Sequence, residues 1–307
     1  MTTTLFIDGA AGTTGIQIRE RLATRDEFSL ITLDEAARKD DAARADAINA
    51  ADIVMLCLPD EAARQSVAMI ANDTTRVIDA STAHRVAPGW VYGLPELSGR
   101  ETVARARFVS NPGCYATGFI ALVAPLVQAG LIPADALLTC NAVSGYSGGG
   151  KAMIAEYEGE GGAPAAWRTY ALGLAHKHVP EMQARCGLAH RPLFAPAVVP
   201  VYSGMVVEVP LHRAMTGGDA AQLRAALADH YAGSPIISVA TGHDRPTLPV
   251  EMLKDRDSMT LFVFADETGA QMRLTAVLDN LGKGASGAAV QTLNLMAGLG
   301  ETSGLRL

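Results

Sequence analysis

The sequence predicts an α/β protein: a Rossmann-type dinucleotide-binding domain followed by an α+β catalytic domain with a mostly antiparallel sheet. Three observations predict it. Strand-like and helix-like segments alternate from Thr4 to Val127. A glycine loop spaced GxxGxxG, Gly9 to Gly15, lies between the first strand pattern and the first helix pattern. From about Leu137, strand patterns follow one another with few helices between them.

Composition narrows the function classes. The 307 residues are 49% hydrophobic and 19% charged, enough to bury a substantial core. A net charge of −7 and the lack of a Lys/Arg run exclude nucleic acid as a main partner. No apolar run approaches the roughly 18 residues of a membrane span. The start, Met1 to Leu5, has no basic region leading into an apolar one, so no signal peptide is expected. Cys57, Cys114, Cys140 and Cys186 are widely spaced with no CxxC pair. Free thiols in a cytoplasmic protein are therefore expected, and no metal site.

The elements follow in order. Thr4–Asp8 reads as a short strand and Ile16–Leu22 as a helix. Between them Gly9, Ala11, Gly12, Thr13, Thr14 and Gly15 form a turn tight enough for backbone to approach a pyrophosphate at the helix start. Phe28–Leu33 is a second strand. Asp34, just after it, is placed to bond the ribose hydroxyl of NAD, whereas Arg38 and Lys39 are placed to pair with the 2′-phosphate of NADP; the spacing leaves both open. Ala51–Pro59 is an apolar strand of the doubly buried kind, and Asp60 is expected to cap a helix carrying Ala63, Val67 and Ile70. Arg76–Ser81 and Phe108–Ser110 are further strands. Ligands gather outside the carboxyl ends of strands in open α/β sheets, and the glycine loop, Pro59, Ser81 and Cys114 all occupy such ends. One crevice is expected to hold them.

Asn111-Pro112-Gly113-Cys114-Tyr115-Ala116-Thr117-Gly118 is the most informative stretch. Asn111 is expected to cap a helix with Pro112 in its first position, and Phe119, Ile120, Leu122, Val123, Leu126 and Val127 then recur at helical spacing. Cys114 would sit among the first N–H groups of that helix, whose positive end favours a thiolate. A thiolate is a nucleophile, so covalent catalysis is expected. A small buried cysteine is the alternative.

In the second half, Leu137–Val143, Phe194–Val201, Gly204–Val209, Thr260–Ala265 and Gln271–Leu278 read as strands. Ala220–Tyr231 and Ser286–Leu299 read as helices, the last packing back onto the first domain. Ser144 to Lys151 is a glycine-rich loop whose backbone N–H groups are expected to cradle phosphate, with Ser144, Gly145 and Ser147 as contacts. In His176-Lys177-His178-Val179-Pro180-Glu181 the proline predicts an extended backbone, which turns His176 and His178 the same way. Histidine suits the uptake and return of a thiol proton, and Glu181 is placed to orient an imidazole. The pair at this spacing also suits metal binding, but no third ligand is suitably spaced.

Taken in order, Gly9–Gly15, Val91-Tyr92-Gly93-Leu94-Pro95-Glu96, Asn111–Gly118, Val143–Gly150, His176–Glu181 and Asp279-Asn280-Leu281-Gly282-Lys283-Gly284-Ala285 make the chain resemble the N-acetyl-γ-glutamyl-phosphate reductases of the shorter type, within the aspartate-semialdehyde dehydrogenase superfamily. The resemblance implies NADPH-dependent reduction of an acyl phosphate to N-acetylglutamate semialdehyde and phosphate, a step of arginine biosynthesis. It implies a thioester on Cys114 and acid/base work by His178, with His176 as the alternative. It favours Arg38 and Lys39 over Asp34, and NADP over NAD. Pro59, Ser81, Asn280 and Lys283 become expected cofactor contacts, Asn280 at the nicotinamide carboxamide. Asn111 and Arg85 become expected substrate contacts, with Ala83-His84 standing where longer members carry an acidic-aromatic pair. The implied division is an NADP-binding domain of residues 1–113 and 284–307 and a catalytic and dimerisation domain of residues 114–283, in a homodimer or homotetramer. The alternatives are another acyl-phosphate reductase, such as aspartate-semialdehyde dehydrogenase, and a redox-sensing dinucleotide-binding protein.

Overall fold

The computed structural model describes residues 2–242 and 246–307. They form two compact units, Met1–Pro112 with Ala285–Leu305, and Gly113–Gly284 with Arg306–Leu307.

In the first unit the order is β1 (Thr3–Asp8), α1 (Thr13–Leu22), β2 (Phe28–Ile31), α2 (Asp41–Ala50), β3 (Ile53–Leu56), α3 (Asp60–Ala68), β4 (Arg76–Asp79), β5 (Val91–Tyr92), α4 (Pro95–Ser98), α5 (Arg100–Arg105) and β6 (Phe108–Ser110). The strands form one parallel sheet in the order β2-β1-β3-β4-β6-β5. Side chains alternate across a strand, and here both faces are covered. Leu5, Ile7, Ile53 and Met55 join one apolar cluster, while Phe6, Val54, Leu56 and Val77 join another with Ala47, Ile48 and Ala63. This explains the nearly unbroken apolar runs in the sequence. The chain runs from β1 to one side and returns through β3 on the other, so the sheet changes direction at the carboxyl end of β1, where the glycine loop sits.

The helix after β3 starts one residue early. Pro59, not Asp60, is the cap. The Asp60 carboxylate accepts the Thr82 N–H at 2.9 Å and the Thr82 hydroxyl instead, tying α3 to the loop after β4.

The second unit contains α6 (Cys114–Gln128), β7 (Thr139–Gly145), α7 (Gly150–Glu158), β8 (Arg168–Thr169), α8 (Val179–Cys186), β9 (Leu193–Val199), β10 (Met205–His212), α9 (Ala220–His230), β11 (Ile237–Val239), β12 (Met259–Ala265) and β13 (Gln271–Leu278). Its sheet runs β11-β12-β13-β10-β7-β9-β8, antiparallel except at β11–β12 and β7–β9. Helix α6 is buried from Tyr115 to Leu126 and packs on β10 and β13. A side chain at Gly118 would meet Val207 at 2.8 Å, so glycine permits that close packing. Pro125 lies inside α6 and cannot donate to the Ala121 carbonyl a turn earlier. The Tyr231 hydroxyl donates to it instead, at 2.8 Å. This replacement lets a proline stay within a long buried helix.

The chain then passes through a π-helical turn, Gly282–Ser286, into α10 (Gly287–Met296). Ala289 and Leu293 of α10 are fully buried in the first unit's apolar cluster, and Met296 is 4% exposed there. Among the described residues no helix is long and apolar enough to cross a membrane.

Candidate functional site

The first unit presents a cavity of about 360 Å³ at the switch point of its sheet. Asp8, Gly9, Ala10, Ala11, residues 30–33, Leu58 and three arginines, Arg19, Arg38 and Arg44, line it. Gly9 has φ +85°, and a Cβ there would lie 2.3 Å from the Cys57 carbonyl oxygen. A Cβ at Gly15 would lie 2.6 Å from the Gly9 carbonyl oxygen, so neither position admits a side chain. Gly12 caps α1 through its backbone alone, and the first turn has no acidic residue. Thr13 and Thr14 thus open a helix whose first N–H groups suit an anion. The Asp34 carboxylate caps the Ala37 N–H at 2.8 Å. Arg38 lines the cavity, whereas Lys39 is exposed and lies 3.8 Å from Glu35, outside the lining. Arg44 reaches Asp8 at 2.9 Å and Ser66 at 2.7 Å, and its hydrogen bond to Asp8 pushes its pKa further up. Glycine cradle, capless helix start and guanidinium groups together fit the phosphates of a dinucleotide.

The loop after β4 is built on Asp79, which is fully buried. Its carboxylate accepts the Ser81 N–H at 2.8 Å and the Ser81 hydroxyl at 2.7 Å, and lies 2.6 Å from His84 Nδ1. The His84 ring stacks on Trp90 at 4.0 Å. Arg85 is 7% exposed. Its Nε donates to the Asn111 carbonyl at 3.0 Å and its Nη2 faces that of Ala80 at 3.4 Å. On those sides it braces backbone.

Asn111 does not cap α6. The cap is Gly113, with extended backbone, and Cys114 is the first helical residue. Pro112 holds Asn111 extended, so its side chain points elsewhere: Asn111 Nδ2 donates to the Ala285 carbonyl at 3.1 Å. Its Oδ1 is buried with no internal hydrogen-bond partner. The Glu181 carboxylate accepts the Gly113 N–H at 3.2 Å, fixing the turn that leads into Cys114. The first turn of α6 carries no acidic residue.

The histidine segment is not extended. His178 caps α8 with helical backbone angles, and Val179, Pro180 and Glu181 open that helix. A proline in the first turn lacks only an N–H that no helical carbonyl awaits, which is why the helix starts across it. The rings of His176 and His178 lie 4.6 Å apart and nearly perpendicular, and the His178 N–H donates to His176 Nδ1 at 3.1 Å. Helix α8 packs directly against α6.

The glycine-rich segment is not a free cradle. Ser144 and Gly145 end β7, a 3₁₀ turn covers Tyr146–Gly149, and α7 follows. The N–H groups of Gly145, Tyr146 and Ser147 go to the carbonyls of Gly204, Val201 and Tyr202 at 2.9, 2.9 and 3.0 Å. The Ser144 hydroxyl donates to the Gly145 carbonyl at 2.9 Å. Asn280 is spanned by the same unit: its Nδ2 donates to the Ser147 hydroxyl at 2.9 Å and its Oδ1 accepts the Gly204 N–H at 2.9 Å. Lys283 is 1% exposed, inside the π-helical turn. Next to it, a Cβ at Gly284 would lie 2.9 Å from the Cys114 Cβ.

The family model described as the semialdehyde dehydrogenase NAD binding domain matches residues 5–106, and the one described as the semialdehyde dehydrogenase dimerisation domain matches residues 114–280. Similarity extends along the whole chain to proteins named N-acetyl-γ-glutamyl-phosphate reductase. The one from Chelativorans sp. is 50% identical, with all of both chains covered. That from Burkholderia ambifaria is 51% identical, with 96% of each covered. The chain belongs to the N-acetyl-γ-glutamyl-phosphate reductase family. Solved structures share its fold: aspartate semialdehyde dehydrogenase II from Vibrio cholerae has a TM-score of 0.73 at 22% identity, covering 96% of this chain and 98% of that one. Aspartate semialdehyde dehydrogenase with NADP from Candida albicans has a TM-score of 0.67 at 16% identity, covering 96% and 98%.

Within this reductase family member, several residues at the two sites escaped the sequence reading. Arg19 and Arg44 are separated from the glycine loop by helical periods or by a whole element, and Gly284 is marked only by its contact with Cys114.

Proposed function

We propose that the chain reduces N-acetyl-γ-glutamyl phosphate to N-acetylglutamate semialdehyde with NADPH, releasing phosphate, as a cytoplasmic step of arginine biosynthesis. The observation that carries this reading is Cys114 as the first residue of a buried helix with no acid in its first turn, preceded by a Gly113 held by Glu181. The Cys114 thiolate attacks the acyl carbon; a C–S bond forms, the C–O bond to phosphate breaks, and phosphate leaves with its electron pair. NADPH, when bound, supplies the hydride that reduces this thioester to the aldehyde as the C–S bond breaks and the thiolate returns.

His178 takes the thiol proton and returns it. The hydrogen bond that His176 Nδ1 accepts assigns His176 the neutral tautomer with its proton on Nε2, so His176 takes up a second proton only by giving up that bond. This supports His178 as the acid/base, with His176 holding the His178 backbone through that bond. Asn111 Oδ1, buried without an internal partner, receives an N–H of the substrate. Arg85 and Ser81 shape the loop around it. Ser144, Gly145 and Ser147 hold the substrate side of β7 in place rather than cradling phosphate by N–H groups. Gly9 to Gly15 hold the pyrophosphate; Arg38, with Arg19, reads the 2′-phosphate; and Lys39 contributes little. Pro59, Asn280 and Lys283 complete the cofactor contacts.

The functional division is an NADP-binding domain of residues 1–113 and 284–307 and a catalytic and dimerisation domain of residues 114–283. The sheet face of the second unit that bears Asn141, Pro210, His212, Gln271 and Arg273 is exposed and suits a second copy, in a homodimer or homotetramer. The four cysteines are free thiols, which suits the reducing cytoplasm.

The test is phosphate-dependent reduction of NADP with N-acetylglutamate semialdehyde. Turnover that requires phosphate is expected. Preference for aspartate semialdehyde, or nucleotide binding without turnover, would overturn the reading.

A further inference from the structure

Tyr115 follows Cys114 directly, so whatever fixes its ring fixes the first turn of α6. It is 3% exposed. Its hydroxyl accepts a hydrogen bond from the Tyr170 hydroxyl at 3.0 Å and faces the Ala197 carbonyl at 3.4 Å. Its ring meets His176, His178 and Phe194 at centroid distances of 6.0, 5.9 and 5.2 Å. The Tyr170 ring stands edge-on to His176 at 5.7 Å. The two phenols therefore wall in the histidine pair.

The chain goes to some length to bring Tyr170 there. The short edge strand β8 pairs with β9, Thr169 opposite Ala197, and the Tyr170 N–H reaches the Pro196 carbonyl at 3.3 Å. Immediately afterwards Ala171 has φ 54°, and Leu174 has φ 57°. Left-handed backbone is unfavourable for residues with a Cβ and persists where surrounding contacts hold it. Burial, with the Tyr170 and Cys114 charges adding to it, holds the Tyr115 phenol well above its ordinary range. Burial likewise pushes the Tyr170 phenol up, against its hydrogen bond to Tyr115.

We propose that Tyr170 is a positioning residue for the reaction: through its hydroxyl on Tyr115 and its ring on His176 it sets the direction of Cys114 and the placement of the His176–His178 pair. The proposal rests on the reading of Cys114 as nucleophile and His178 as acid/base. A single hydrogen bond joins the two phenols, so removing either hydroxyl removes it, and Tyr115→Phe removes the contact with the Ala197 carbonyl as well. Such a pair is read by a double-mutant cycle.

The experiment compares Tyr170→Phe, Tyr115→Phe and the double variant with wild type. It reads kcat, KM for the semialdehyde, and the pH dependence of Cys114 alkylation by iodoacetamide. Each single variant should lose about tenfold in kcat, the order of one buried hydrogen bond, with KM little changed. The double variant should fall no further than Tyr115→Phe alone, and the alkylation midpoint should move in all three. Wild-type kcat with an unmoved alkylation profile in Tyr170→Phe would overturn the proposal, as would losses that multiply in the double variant. Should wild type itself show no phosphate-dependent turnover, the reading of the reaction fails, and the alkylation profile alone then decides whether Tyr170 positions Cys114.

Discussion

The two units build their candidate sites by different physical means. The first unit offers backbone and charge: glycines that clear space, a helix start without a capping side chain, and guanidinium groups around one cavity. Most of that apparatus comes from consecutive elements, β1, the glycine loop and α1. The second unit offers individually placed side chains. Cys114, Glu181 and His178 come from α6 and α8, and Tyr170 from the edge of a sheet whose neighbours are far apart in sequence. Binding by backbone is tolerant of side-chain change outside the glycines. Chemistry by placed side chains depends on long-range packing, so single substitutions should cut deeper in the second unit.

The sharpest way to separate the two is Cys114→Ser. Turnover should fall by about 10⁴-fold or more, the scale seen when a nucleophile is lost, while nucleotide binding measured by calorimetry stays near wild type. Retained activity would remove the sulfur from the mechanism. Next in size is His178→Asn, with an expected loss in kcat of about 10² to 10⁴-fold. His176→Asn should lose far less, and the reverse ranking would exchange the two roles.

Gly284→Ala probes placement without touching a reacting group. Its methyl would press on Cys114, and a displacement of that kind costs about 10²-fold in rate. Circular dichroism and a thermal melt should show a folded protein; unimpaired turnover would mean the turn gives way. On the binding side, Arg19→Ala with Arg38→Ala should raise the Kd for NADPH about tenfold or more and leave NADH nearly unchanged. Cys114 alkylation in that variant should match wild type, and a slowed reaction would show that the two kinds of recognition are not separable.

The smallest effect concerns pH. Cys57 keeps some exposed surface, yet its thiol is pushed from 9.0 up to about 12, by burial first and then by the Asp79 and Asp8 carboxylates. Burial also pushes Cys140 and Cys186 up. A thiol with a raised folded-state pKa contributes stability fully below its unfolded value and loses it as pH climbs toward the folded one. Stability measured by urea unfolding should thus decline above about pH 9, and these three thiols should resist alkylation until the chain unfolds.

Much of the first unit could be read from residues in a row. The doubly buried strands announce themselves as apolar runs, and the glycine spacing sits where strand gives way to helix. The order of motifs carried the family. What escaped were features set by distant partners. Two- and three-residue strands such as β5, β8 and β11 have too few residues to show a period. The extended reading of His176 to Glu181 weighed Pro180 against helix, but a first-turn proline suits one. The cradle expected at Ser144 to Ser147 failed because its N–H groups had carbonyl partners at Val201, Tyr202 and Gly204, out of reach of any local pattern. Tyr115 and Tyr170 are far apart in the chain and meet only through β8 and β9.

The apolar side chains of α10 fill the first unit's core, yet they are encoded after the whole second unit. A ribosome therefore releases the nucleotide-binding sheet with one face lacking Ala289, Leu293 and Met296, and completes the contiguous segment Gly113–Gly284 before supplying them. The unit that begins the polypeptide is thus completed only after the whole of Gly113–Gly284 has been made.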